Sequence, residues 1–240
     1  MRFVRVITLV WALAAPLSAA TFGKVIAIGG HVADLAVDSR RGLLYVANFT
    51  ANRIDVVSTA DNTLRNPIYV PPQPGSIALS PDGRFLVIGH FADWTTNTTQ
   101  RPSVTILDLD GNARQTLTMA NSPLAVAFGS GSRALIVTTK DFQLLEPLGG
   151  SLQRIAEGAA LRVEQLPVGA PKFPPEITQA SAGVSADGEM VYVLAQAAGS
   201  AALVQYRPAD SALRVINITS QPELGPRVVS VNRDGSRYLA

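Results

Sequence analysis

The stretch Leu79–His90, LSPDGRFLVIGH, decides the fold, because the sequence repeats its plan. VDSRRGLLYVAN (37–48), FGSGSRALIVTT (128–139), VSADGEMVYVLA (184–195) and VNRDGSRYLA (231–240) follow one template: an apolar residue, a turn cluster, a polar or charged residue, then an apolar run. Pro81 presets φ, Asp82 caps locally and Gly83 accepts positive φ, so the unit is a strand–turn–strand element. A functional reading would make Asp82 a base or a ligand. It has no matching His or carboxylate in its own repeat. Five copies with changing polar residues describe scaffold.

The residue after each turn, Gly42, Arg84, Arg133, Glu189 and Ser236, recurs at spacings of 42, 49, 56 and 47. Those spacings are close to the ~40–50 residues of a propeller blade. Each unit divides into four short strands. Strand a is DLAV (34–37), SIAL (76–79), AVAF (125–128), SAGV (181–184) and RVVSV (227–231). Strand b follows the turn as LLYVAN, FLVIGH, ALIVTT and MVYVLA. Strand c is RIDVVS (53–58), SVTILD (103–108), FQLLE (142–146) and ALVQYR (202–207). Strand d follows Asp61-Asn62, Asp110-Gly111-Asn112, Gly149-Gly150 and Asp210-Ser211, turn chemistry that tolerates positive φ. Strand a carries Ala36, Ala78, Ala127 and Gly183, small residues suited to strands crowding a central axis. Leu152–Val163 comes nearest to helical periodicity, and Gly158 weakens it. The expected fold is all-β: a β-propeller of four-stranded antiparallel blades, about four complete blades plus the start of a fifth.

The first twenty residues stand apart. MRFVRVITLVWALAAPLSAA has Arg2 and Arg5, an apolar stretch from Val6 to Ala15, and Ser18 and Ala20 at the −3 and −1 positions of a signal-peptidase site. Its apolar run is shorter than the ~20 residues of a membrane span. The expectation is therefore a signal peptide at residues 1–20 cleaved after Ala20, a propeller domain at 21–240, and a secreted or periplasmic location with no membrane insertion after cleavage. Lys and Arg number 20 against 18 Asp and Glu, and two of the arginines lie in the leader. The mature chain is formally neutral, which gives no support to a nucleic-acid partner. No cysteine is present, so disulfides, thiolate catalysis and covalent haem are excluded for these residues.

YVANFTANRIDVVSTADNTL (45–64) followed by PGSIALSPDGRFLVIGH (74–90) resembles the YVTN repeat of bacterial surface-layer and periplasmic seven-bladed propellers, a WD40-like architecture that includes lactonase-like and quinoprotein-like enzymes. The resemblance covers the mature chain, most strongly 34–118. It implies seven blades, so the chain is read as C-terminally truncated, against a genuine four- or five-bladed ring. It also implies that GKVIAI (23–28) is a strand d completing the last blade.

Candidate chemistry is sparse. Asp108-Leu-Asp110-Gly-Asn112 suggests a calcium loop, but Arg114 follows where further oxygen ligands belong. His31 and His90, the two histidines, fall on d–a and b–c connections that share one rim. Two insertions lie on the same face: ADWTTNTTQRP (92–102) and PKFPPEIT (171–178), which bring Trp94, Asn97, Arg101, Lys172 and Phe173 to that rim as binding anchors. Loop variation without a ligand is the plainer alternative. No GxSxG elbow, HExxH, Walker loop or Rossmann pattern occurs. No catalytic residue, metal or cofactor is expected. The functional expectation is a binding or scaffold module for a protein, peptide or glycan on the d–a/b–c face. The alternatives are a lactonase- or quinoprotein-like enzyme completed by residues beyond 240, and a structural surface-layer protein.

Overall fold

Short strands rich in Val, Ile and Leu, most of them five to eight residues long and cut by Gly, Asn and Asp turns, pair as successive antiparallel hairpins. The computed structural model describes residues 24–91, 101–158, 176–197, 200–219, 230–232 and 236–239. Blade 1 comprises β1 (Val32–Asp38), β2 (Leu43–Asn48), β3 (Arg53–Ser58) and an outer strand in two pieces, β4 (Thr63–Leu64) and β5 (Ile68–Tyr69). Blade 2 is β6 (Pro74–Leu79), β7 (Phe85–His90), β8 (Ser103–Asp108) and β9 (Ala113–Thr118). Blade 3 is β10 (Pro123–Phe128), β11 (Ala134–Thr138), β12 (Asp141–Glu146) and β13 (Ser151–Glu157). Blade 4 is β14 (Gln179–Val184), β15 (Val191–Ala197), β16 (Ser200–Arg207) and β17 (Ala212–Thr219). A fifth unit begins with the paired strands β18 (Ser230–Val231) and β19 (Tyr238–Leu239). The all-β propeller expectation holds.

The a–b turn behaves as scaffold. In blade 2 the Asp82 carboxylate accepts hydrogen bonds from Ser80 Oγ and the Arg84 amide, while Ser80 Oγ accepts from the Phe85 amide at 2.8 Å. Blade 4 repeats this with Ser185, Asp187, Glu189 and Met190. Both turns close on a glycine at positive φ, Gly83 at 70° and Gly188 at 73°. The c–d turns differ in one detail from a plain Asp-Gly expectation. In Asp110-Gly111-Asn112 the positive φ, 50°, falls on Asn112. Asn62 and Ser211 hold the same conformation in their blades.

Two other expectations shift. The described part of the most helix-like stretch is strand: Ser151–Glu157 pairs along β12, because Gly150 at φ 61° turns the chain back into a hairpin, and residues 159–163 lie outside the described residues. Lys24–Ile28, expected as a strand d, forms no strand and has no sheet partner among the described residues.

The inner strands pack in sequence, β1 on β6, β6 on β10 and β10 on β14. Each blade-to-blade seam holds its own apolar cluster. Ala36, Tyr45, Ile54 and Val56 of blade 1 meet Ile77, Leu86, Ile88 and Leu107 of blade 2. Val87, Val104 and Ile106 then meet Val126, Ile136 and Leu145 of blade 3. Phe142 and Leu144 meet Val193, Val204 and Tyr206 of blade 4. Blade 1 has one face outside this series. Its Leu35 and Val37 are 55% and 57% exposed, whereas Ile77 and Val126, which hold the register position of Leu35, are 4% and 7% exposed.

Candidate functional site

The d–a/b–c end of the arc is built by a repeated stitch. A β-bulge near the start of β1, β6 and β10 shifts register between Val32 and Asp34, Pro74 and Ser76, and Pro123 and Ala125. The residue before each inner strand then accepts a hydrogen bond from the b–c loop: His31 from the Phe49 amide at 2.8 Å, Gln73 from Phe91 at 3.0 Å, Ser122 from Thr139 at 3.0 Å. His31 is also tied by its own amide to Thr50 Oγ1, which leaves its ring exposed on the rim. Arg101 opens the approach to β8 and is exposed, with no ion pair to any described residue. These two expected rim residues lie at the same end of adjacent blades. Trp94, Asn97, Lys172 and Phe173 fall outside the described residues.

His90 corrects the sequence reading. It ends β7 and is 1% exposed, so it is a buried lock and not a rim side chain. Its position is shared by Asn48 in blade 1 and Thr138 in blade 3. Asn48 Nδ2 donates to the Gly29 carbonyl at 2.6 Å and to Asp55 at 2.8 Å, and Thr138 Oγ1 donates to the Asp141 carbonyl and carboxylate. His90 Nε2 meets Thr105 Oγ1 at 2.9 Å, and Thr105 Oγ1 meets Thr116 Oγ1 at 3.0 Å. Its Nδ1 is buried without a hydrogen bond of good geometry. Burial pushes the ring down to about 4, although the nearby Pro72 and Pro71 carbonyls pull the other way. The buried Asn48 also leaves no amide free at the sequon Asn48-Phe-Thr.

The opposite end is filled by charge pairing. Arg41 donates to Asp38 at 2.8 Å and to the Gly83 carbonyl of the next blade at 2.6 Å. Arg40 reaches the Asp82 carbonyl at 3.0 Å, and both arginines pair with Asp110. Arg84 holds Asp108 at 2.8 Å. The Arg84 guanidinium and the Gly111 amide keep Asp108 down at about 2, and Arg40 lowers Asp110. The calcium-like stretch is thus a joint between blades 1 and 2, its carboxylates committed to arginines.

The inner strands line a cavity of about 340 Å³ walled by Leu35, Val37, Ile77, Val126, Phe128 and Val184. Asp34 is its one carboxylate. It is absent from the sequence candidates, although a single acid in the apolar strand DLAV was its signal. Asp34 Oδ2 accepts from the Ile77 amide of the next blade at 2.9 Å and Oδ1 from the Leu35 amide at 2.8 Å. Burial raises its affinity for a proton, and those two amides offset part of the rise. Both oxygens already serve the scaffold, tying β1 to β6.

No family model and no curated protein matches the chain. Solved structures do. Hydrazine synthase of Kuenenia stuttgartiensis matches at a TM-score of 0.63 with 14% identity, over 90% of this chain and 57% of that one. A functionally unknown protein from Desulfotomaculum acetoxidans DSM 771 matches at 0.61 with 13% identity, over 89% of this chain and 63% of that one. The Cps50 (Swd1) β-propeller domain of Myceliophteria thermophila matches at 0.59 with 11% identity, over 89% and 62%. The chain therefore spans about three-fifths of the length of these proteins. At such identities the likeness is one of fold alone: the chain is a β-propeller of four-stranded antiparallel blades.

Proposed function

We propose that this chain is part of an exported, YVTN-like propeller that binds a protein, peptide or glycan on its d–a/b–c face and has no catalysis of its own. The carrying observation is the contrast between its two ends. At the a–b/c–d end Arg40, Arg41, Arg84, Asp38, Asp108 and Asp110 are consumed in joints within and between blades. At the other end His31 and Arg101 stand exposed on loops anchored by rigid stitches, the arrangement in which binding residues are usually carried. The leader through Ala20 supports export.

Further blades of the same polypeptide complete the ring in this reading. The exposed Leu35 and Val37, at positions that blades 2 and 3 bury under a preceding blade, support it. So does Lys24–Gly30. Lys24 Nζ donates to the Asp61 carbonyl of a c–d turn, and the Gly29 carbonyl accepts from Asn48 at the opposite end of the blade, so the segment crosses blade 1 end to end with Ile26 and Ile28 half-buried. A lactonase-like site would need free acids on the channel wall, and Asp34 has both oxygens engaged.

The test has two arms. The coding frame past Ala240 should continue through further repeats, and a stop codon there removes the ring-completion reading. The complete polypeptide is then screened on peptide and glycan arrays. The double variant His31→Ala, Arg101→Glu should lose at least about ten-fold in captured signal, equivalent to ~1.4 kcal/mol. Retained capture, or loss only on altering Arg40 or Asp110, overturns the face assignment.

A further inference from the structure

In three blades the side chain of the last residue of strand b is tied to strand c, and only in blade 2 is that residue a group that titrates. Asn48 and Thr138 are neutral at any pH, and each has a carboxylate beside it, Asp55 and Asp141. His90 has none. The strand-c position that carries Asp55 in blade 1 and Gln143 in blade 3 is Thr105 in blade 2. Around the ring stand Thr105 on β8, Thr116 on β9, its register partners Pro74 on β6 and Ser103 on β8, and the Pro71 and Pro72 carbonyls. From blade 1, Ala47, Ile54 and Ile68 cluster with Ile88 beneath the same end of β7, and none of them ionises. In blade 1 the pair Arg53 with Asp55 is engaged with itself and with Asn48. No carboxylate or cation from any of these elements contributes to the ionisation of His90.

We infer that His90 is an acid-sensitive latch: protonation of its buried, carboxylate-free ring loosens β7 and β8 from the d–a connection of blade 2 and opens that end of the blade. A protonated imidazole carries two N–H donors. Nε2 can keep Thr105, but Nδ1 has no well-aligned acceptor, and a buried cation without a counter-charge is unfavourable. The open form, in which the ring meets water, is therefore preferred as pH falls. With a closed-state value of about 4 against an ordinary 6.5, the opening equilibrium should grow about 30-fold between pH 7.5 and pH 5.

The test is hydrogen exchange on the complete polypeptide, read as protection factors so that the intrinsic pH dependence of exchange cancels. Amides of Ser103–Asp108 should lose about 30-fold in protection at pH 5 relative to pH 7.5, while β11 and β12 of blade 3 hold theirs. His90→Asn, which installs the residue of blade 1, should abolish the difference. Thr105→Asp should also suppress it, by supplying the missing carboxylate. Equal acid sensitivity in blades 2 and 3, or an unchanged drop in both variants, overturns the latch. Should His90→Asn fail to fold, the ring is titrated directly by NMR in the native protein. A native value at or above 6.5 is equally fatal.

Discussion

The joint between blades 1 and 2 and the joint between blades 3 and 4 occupy the same place in the repeat and are held by different physics. The first is electrostatic: Arg40 and Arg41 reach across to Asp110 and to the carbonyls of Asp82 and Gly83. The second is steric. The Ser130 amide donates to the Gly188 carbonyl at 2.6 Å, and a Cβ on Gly129 would lie 2.2 Å from Pro208 and one on Gly188 2.6 Å from the Ser130 nitrogen. Among the described residues Arg133 still reaches blade 4, with a hydrogen bond to Ser211 at 2.8 Å. The comparison teaches that the repeat conserves a geometry, turn upon turn, and leaves the chemistry of each contact free. Charge spans a gap that long side chains can cross; glycine removes the gap.

The steric joint should be the more brittle. Gly188→Ala places a Cβ against backbone at a positive φ, and overpacking with backbone strain should cost about 3 kcal/mol. Urea unfolding should show the lowered midpoint, and a loss under about 1 kcal/mol would mean that the turn can shift freely. Next comes Arg41→Ala. Asp38 is 1% exposed and would lose its cation, as would the Gly83 carbonyl its donor, so a loss of about 2 kcal/mol is expected. If the variant unfolds like the parent protein, the buried pair is not what joins blades 1 and 2.

Acid gives the smallest and most selective effect. Asp108 and Asp110 are held below the ordinary 3.8 by Arg84 and Arg40 respectively. Carboxylates with lowered values contribute stability that is present above 3.8 and is lost as pH falls toward about 2. Protection of the Arg40–Gly42 and Asp108–Asn112 turns should therefore fall between pH 4 and pH 2 while that of Gly129–Gly131 does not. His90→Asn is the background in which this loss stands alone, since the latch acts in a higher window. Parallel loss at both turns would erase the distinction between charged and steric joints.

Much of the architecture was legible because it depends on local chemistry. LLYVAN, FLVIGH, RIDVVS and SVTILD are strands with the expected bounds, since each is a short, largely apolar run set off by turn or loop residues. Asp82 was legible as scaffold for the same reason. The site was less so. His31 and Arg101 emerge on the rim as their loop positions suggest, yet His90, the last residue of its strand, turns inward. A period of two assigns it a face of the sheet, and only the packing of blade 1 shows that this face is covered. Asp34 escaped notice because its bond to Ile77 joins residues 43 positions apart.

The sequence by itself determined the strands, their hairpins and the repeat, since propensity, alternation and turn chemistry act within a few residues. The tertiary structure alone decided which polar groups are spent on joints and which remain free. Burial and pairing depend on the neighbouring blade: they set Asp108 against Arg84, placed Asn48 on Gly29, and enclosed His90 without a charge to answer its own.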